Sequence, residues 1–516
     1  MPRAISRDER RGRRRTTTRV FVQVLLGVLL LQSAWVLTIP PFRGLDEHDH
    51  AFKAAATARG DIGPHHEVSS QGWGSFMSVP KDIVVAAQPI CESFAYTTHD
   101  SCRPGPETSP GQVRVATAMA NTNPAFYFVM GTAARPFDGV GALYAMRVLA
   151  AVLSALVLAL GFVALRRTAR GPWLGASALV AMTPVAVYST TVAAPNGLEL
   201  ASGFLVWSSL LCALRPGAAD AEADRWVRVA TAGAVLLVTL RALGPVWLLL
   251  IVVTVIAWAG WARVRTLLSR RNTIACIAAV GLATALAATW IVLARPNEIP
   301  GSNDDFDNPL WVVLPQQWVL WFFQSVGAIP ARNEIMPMPV YMIVFTLWLC
   351  LSAIAIRQAT RRQRLALGLV VALGSLVPLA ATAYFYSSIG TAWQGRYALP
   401  YTIGFLLLCG SILDAKVQVG ARWNRRIIGV AAALLVCAAT ICLVHVLRVQ
   451  LDQSPLAGTG SWPAPAEWQV VALTAAGMAL LASCILLSPS RSGVGSSSDG
   501  SRPGALDLDS PTGSPR

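Results

Sequence analysis

Apolar runs of about twenty residues recur through nearly the whole chain, and each is long enough to cross a bilayer as a helix. The first, VFVQVLLGVLLLQSAWVLTI, fills residues 20–39. The runs are continuous rather than alternating, which points to helices and not to barrel strands. Only 13% of the residues are charged, where soluble domains carry roughly 25%, and mean hydropathy is +0.51. The class that follows is all-α integral membrane.

The apolar pattern places about twelve transmembrane helices, at about 19–39, 140–165, 172–193, 197–214, 226–241, 244–262, 273–294, 338–356, 365–386, 398–414, 426–446 and 467–488. The stretch 226–262 is divided into two at RALGP, residues 241–245, because one long helix would put the later arginine clusters on the wrong side. The net charge of +15 sits in short clusters between runs: RDERRGRR at 7–14, Arg166, Arg167 and Arg170, Arg263–Arg271, Arg357–Arg364, and Lys416–Arg426. That distribution is the positive-inside pattern, and no aromatic-interleaved basic face argues for nucleic acid.

The chain then divides into a basic cytoplasmic N-terminus (1–18), a membrane domain (19–488) and a Ser/Gly/Pro-rich disordered cytoplasmic tail (489–516). Both termini are cytoplasmic in a multi-pass plasma-membrane protein. Two outer loops are long, at about 40–139 and 295–337. Within them, residues 123–134 and 308–327 read as short interfacial or re-entrant helices. Cys91 and Cys102 lie in the first outer loop, and an exported loop permits a disulfide between them.

PPFRGLDEHDHAF, residues 40–52, crowds Asp46, Glu47, His48, Asp49 and His50 just after the first helix. Read as a helix start, it puts Asp46, Asp49, His50 and Lys53 on one face. A carboxylate there can act as a general base, or Asp46 and Glu47 can hold a divalent cation. The same acidic residues also suit a solvated helix start, where the dipole favours them. GTAWQGRYALPY, residues 390–401, places Arg396 beside Gly395 at an outer membrane boundary. An arginine there serves a phosphate by its planar fork, or snorkels to a headgroup. In AAPNGLELA, residues 193–201, Asn196 is expected to cap a helix and Glu199 to lie a turn inside it. Arg241 is expected at the outer interface. There is no Walker A, GxGxxG or HExxH motif, which argues against an ATP-driven pump, a Rossmann-type nucleotide-sugar enzyme and a zincin protease.

Three stretches together carry a resemblance: PPFRGLDEHDHAF, NTNPAFYFVMG (121–131) and QGRYALP (394–400). They resemble a family of membrane proteins named for domain of unknown function 2142, itself similar to the GT-C superfamily of lipid-linked-sugar glycosyltransferases. The family pattern, Asp-Glu, two residues, His, is matched by Asp46, Glu47 and His50, with His48 where the family often has proline. The NPxGLE element is matched at Asn196 and Glu199, with Pro195 preceding.

The resemblance implies a GT-C-like fold and an inverting membrane glycosyltransferase. Its donor is a polyprenyl-phosphate sugar, and its acceptor is a cell-envelope glycan or lipid on the outer face. Asp46 or Glu47 is the catalytic base, with Asp46 favoured, and metal dependence stays open. Arg396, with Gln394 and Tyr397 beside it, is expected at the donor phosphate, with Arg241 in reserve. His50 orients a carboxylate or, when protonated, contacts phosphate; Asn196 and Glu199 complete the substrate set. A flippase or transporter of lipid-linked sugars predicts polar groups through mid-bundle and an internal repeat, and the sequence has neither. A non-catalytic envelope assembly protein would tolerate loss of Asp46, Glu47 and Arg396.

Overall fold

The structure is a computed structural model that describes residues 7–69, 74–94, 97–295 and 308–486. The tail at 489–516 lies outside the described residues. Helix α1 (Arg7–Thr38) leads into a segment of α2 (Glu47–Ala58), β1 (Ser75–Pro80), α3 (Lys81–Cys91), α4 (His99–Cys102), β2 (Glu107–Ser109), β3 (Gln112–Thr117) and α5 (Pro124–Ala134). The chain continues through α6 (Gly139–Thr168), α7 (Trp173–Val180), α8 (Pro184–Ser189), α9 (Pro195–Ala213), α10 (Asp220–Leu240), α11 (Gly244–Ala259), α12 (Trp261–Leu268) and α13 (Arg271–Ala294). It ends with α14 (Leu310–Gln324), α15 (Met338–Gln358), α16 (Arg361–Ile389), α17 (Leu399–Lys416), α18 (Ala421–Gln453) and α19 (Glu467–Leu486).

Among the described residues, eight helices are long and apolar enough to cross a membrane, or nine if the bent pair α11–α12 counts as one span. The protein is therefore a multi-pass helical membrane protein. Helices α9 and α10 stand outside those eight. α9 is buried along almost its whole length and packs against α6, α10, α11 and α17, so it forms the centre of the bundle rather than a lipid-facing wall. α10 opens on a charged first turn with Asp220 and Glu222.

One expected element is corrected. Residues 172–193 are not one helix but α7 and α8, with a break before Pro184. Proline cannot donate the backbone bond a continuing helix needs, and Thr183 instead caps α8 by accepting from the Ala186 N–H at 3.3 Å. The division of 226–262 takes the form of α10 and α11, separated at residues 241–243.

The segment between α1 and α6 also holds a sheet that the apolar pattern did not disclose. Its strands run in the order β1-β3-β2, all antiparallel, with Ser75 opposite Thr117 and Pro80 opposite Gln112. Val113 and Val115 are buried while Gln112 and Arg114 are half-buried, the period of a one-sided strand, and the alternation ends at Ala116 and Thr117, which are both buried. Cys91 and Cys102 form a disulfide between α3 and α4. Against this small domain, every residue of α2 is buried, including Lys53. α5 buries Tyr127 and Met130 against α2 and exposes Phe128 and Val129.

Candidate functional site

The segment between α1 and α2 carries two non-glycine residues in the left-handed region, Phe42 (φ 62°) and Asp46 (φ 53°). An L-residue pays about 1–2 kcal/mol there, aspartate being among the better tolerated. Asp46 therefore stands at the N-cap of α2 in a non-helical conformation, and the expected shared face with Asp49 and Lys53 does not form. Asp49 instead accepts from the Ala118 N–H at 3.0 Å, beside β3. Lys53 donates to the carbonyls of Ala120 (2.6 Å) and Ile62 (2.9 Å), and burial lowers its pKa to about 8.

The two adjacent carboxylates have opposite surroundings. Glu47 is fully buried, and Arg147 of α6 grips it through Nε to Oε1 at 2.8 Å and Nη2 to Oε2 at 2.5 Å. The backbone N–H groups of Ala193 and Gly44 also donate to it, at 3.1 and 3.2 Å. Arg147 spends its other donors on the carbonyls of Ile39 (2.8 Å), Pro40 (2.8 Å) and Val36 (3.3 Å). Both oxygens of Glu47 are thus engaged. Asp46 is half-buried, and its carboxylate makes no hydrogen bond among the described residues. Burial raises its pKa above the ordinary value, Asp49 adds to the rise, and the charges of Arg396, then His48 and Arg241, oppose it.

Arg396 arrives from the far end of the sequence on a 3-10 turn, Gly395–Ala398. It is 9% exposed, and its Nε is buried with no hydrogen-bond partner among the described residues. Its guanidinium lies 5.5 Å from the Tyr397 ring, and that of Arg241 lies 4.2 Å from the same ring. Arg241, at the end of α10, is also 3.7 Å from the buried Glu199 of α9. Two guanidiniums therefore flank one tyrosine, of which only that of Arg241 lies near the buried Glu199, and Asp46 stands in the field of both.

The other expected site residues divide. His50 meets Tyr127 of α5, Nδ1 to hydroxyl at 2.8 Å with stacked rings. Burial first, then the charges of Arg241, Arg396 and His48, hold its pKa well below the usual value. That direction disfavours a charged imidazole in this site, where His50 is engaged with Tyr127. Asn196 does not cap α9; Ala194 occupies that position and Pro195 begins the helix. Gln394 is buried at the start of the arginine turn.

Gly395 makes that turn fit. A Cβ there would run into the Trp321 carbonyl of α14, and its N–H donates to Gln324 Oε1 at 2.9 Å. Gly395→Ala is expected to push α14 off the turn and lower the thermal midpoint by several degrees, a cost of about 1–3 kcal/mol. Differential scanning fluorimetry checks it, and an unchanged midpoint would show that this packing is soft.

The family of predicted membrane proteins called DUF2142 matches residues 29–405. The chain belongs to this family. Two solved structures are similar to this DUF2142 protein, both of ArnT from Cupriavidus metallidurans. The apo form is 16% identical, with 83% of this chain and 74% of that one covered and a TM-score of 0.38. The form bound to undecaprenyl phosphate is 17% identical, with 84% and 76% covered and a TM-score of 0.37. No curated protein matches.

In this DUF2142 protein the segment around Arg332 and Glu334 closes over the segment between α1 and α2. Arg43 pairs with Glu334 at 2.6 Å, and Tyr188 accepts from the Leu45 N–H at 3.2 Å while donating to the Pro330 carbonyl at 3.1 Å. Arg332 donates to the Thr391 carbonyl at 2.8 Å, fixing the approach to Arg396. Among the described residues no three His, Cys, Asp or Glu side chains form a group able to hold a metal ion. Glu47, bound to Arg147, leaves Asp46 without a second free carboxylate beside it.

Proposed function

We propose that this DUF2142 protein is an inverting membrane glycosyltransferase of the GT-C kind. It takes its sugar from a polyprenyl-phosphate donor on the outer face of the plasma membrane. It passes that sugar to a hydroxyl of a cell-envelope glycan or lipid. The observation that carries the reading is an unpaired, half-buried carboxylate in the field of two arginines, one of which has a buried donor without a partner. A base beside an excess of cations suits a reaction in which a hydroxyl attacks and a phosphate leaves.

In the reaction, Asp46 takes the proton of the acceptor hydroxyl as its oxygen attacks the anomeric carbon. The bond from that carbon to the phosphate oxygen breaks, and polyprenyl phosphate leaves with the electron pair. The configuration inverts because attack and departure occur on opposite faces. Arg396 meets the charge that develops on the leaving oxygen, and Arg241 assists from across Tyr397. Glu199 holds Arg241, while His50 and Tyr127 fix the start of α2. Glu47 is assigned to positioning, since its oxygens are engaged by Arg147 and two backbone amides.

The orientation is supported by two features. The disulfide in the first loop suits an oxidising compartment. The arginine clusters at the opposite helix ends suit a cytoplasmic face, with both termini on that side.

The test is transfer of labelled sugar from a polyprenyl-phosphate donor by purified protein in detergent. Arg396→Gln is expected to lower kcat/KM by about 10²–10³-fold, the range for losing one donor to a developing charge. Absence of transfer from any polyprenyl-phosphate sugar by folded wild-type protein would refute the reading.

A further inference from the structure

The opposite end of α11 carries a second cation-lined feature that the transfer reaction does not use. α11 begins at Gly244, next to Arg241, and its 16 residues carry the chain about 24 Å along its axis. At Gly260 (φ 86°) the helix stops, and α12 leaves at a bend of 118°. A cavity of about 560 Å³ opens at this corner, lined by Gly260, Trp261, Arg263, Thr266 and Arg362 among others.

Its two arginines come from different helices and are both anchored. Arg362 Nε donates to the Ala257 carbonyl at 2.9 Å, in the last turn of α11, where the helix dipole favours a cation. The absent side chain of Gly260 leaves room for that guanidinium, because a Cβ would collide with it. Arg263 Nη1 donates to the Leu214 carbonyl at 3.2 Å. A guanidinium has five N–H donors, so each arginine keeps several after its one fixed bond. Neither pairs with a carboxylate among the described residues; the nearby Asp220 and Asp224 are taken by Arg270. No acidic residue lines the cavity. Trp261, 59% exposed at its rim, is the residue type that settles at a bilayer interface.

We propose that this corner binds the phosphate headgroup of an anionic membrane lipid, separate from the transfer site and in the opposite leaflet. The sharp bend turns α12 away from the axis of α11. The fork of each guanidinium then meets phosphate oxygens while the acyl chains run beside α11. A free phosphate shares the chemistry but lacks the chains that would hold it beside Trp261 and the apolar helix.

Full-length protein in non-ionic detergent is titrated with phosphatidylglycerol, phosphatidylcholine or inorganic phosphate while the thermal midpoint is followed. Phosphatidylglycerol is expected to raise the midpoint and the other two, at the same concentration, to leave it unchanged. Arg263→Gln and Arg362→Gln are each expected to raise the half-maximal lipid concentration roughly fivefold. Thr266→Asp, at an exposed position, sets a carboxylate in the wall of the same cavity and is expected to weaken binding similarly with both arginines retained. It therefore keeps the test decisive if an arginine variant misfolds. Arg422→Gln, in a separate basic cluster, is expected to titrate as wild type. The proposal is overturned if Thr266→Asp also titrates as wild type, if Arg422→Gln weakens binding as much as Arg362→Gln, or if inorganic phosphate reproduces the shift.

Discussion

Asp46→Asn is expected to reduce sugar transfer by about 10²–10⁴-fold, the usual share of a general base, with no loss of folded protein. Asparagine has the same shape and tolerates the left-handed backbone of this position, so the entry to α2 is kept. It also removes a carboxylate whose ionisation burial opposes, so the thermal midpoint should stay level or rise. The pH dependence supplies a second reading. A base acts when ionised, so transfer rises with pH through the raised pKa of Asp46, and the acid limb lies above the ordinary aspartate range. Arg396 is the largest charge opposing that rise, so the residual activity of Arg396→Gln should show a limb moved to still higher pH. Stability runs the other way. A raised folded-state pKa means that the Asp46 contribution is fully present below the ordinary value of 3.8 and is lost as pH rises through the folded value. Wild-type turnover in Asp46→Asn would remove it from the chemistry.

The local motifs were readable because each depends on few residues. Continuous apolar runs announced the long helices, and RALGP announced the separation of α10 from α11. The break at Pro184 was equally local, yet the run from 172 to 193 is apolar on both sides of it, and hydropathy overrode the proline. The different surroundings of Asp46 and Glu47 were not readable at all. They depend on a left-handed backbone at Asp46 and on a guanidinium that approaches from a hundred residues away in sequence. Arg147 itself did leave a signal, as a charged residue about two turns into an otherwise apolar helix, which in a membrane must find a partner. Tyr127 lay within a stretch read as interfacial or re-entrant and given no site residue. Its inward side emerges once α5 is seen to expose Phe128 and Val129 while packing against α2. The meeting of Arg241 and Arg396 at Tyr397 joins two helix ends distant in sequence, and no spacing rule encodes it.

Glu47→Gln is expected to act on stability where Asp46→Asn acts on turnover. Removing one member of a buried ion pair leaves the other charge uncompensated, which costs about 3–5 kcal/mol. Glutamine keeps one acceptor oxygen, so it can still serve only one of the amides of Ala193 (to Oε1) and Gly44 (to Oε2), and it cannot receive both nitrogens of Arg147 as a charged fork. Arg147→Met should be the more damaging change. It leaves the Glu47 carboxylate buried beside apolar atoms, and it also removes the donors to the carbonyls of Val36, Ile39 and Pro40. Those carbonyls end α1 and begin the turn that carries Asp46, so the loss loosens the site from beneath. Arg147→Lys keeps the charge, yet three ammonium protons cannot serve two carboxylate oxygens and three carbonyls, so rescue should be partial. The expected order of thermal midpoints is wild type, then Arg147→Lys and Glu47→Gln, then Arg147→Met. Turnover per folded molecule of Glu47→Gln should remain near wild type. A Glu47→Gln protein that melts like wild type but has lost transfer would exchange the roles assigned to the two carboxylates, since only a group needed at the reacting atoms behaves that way.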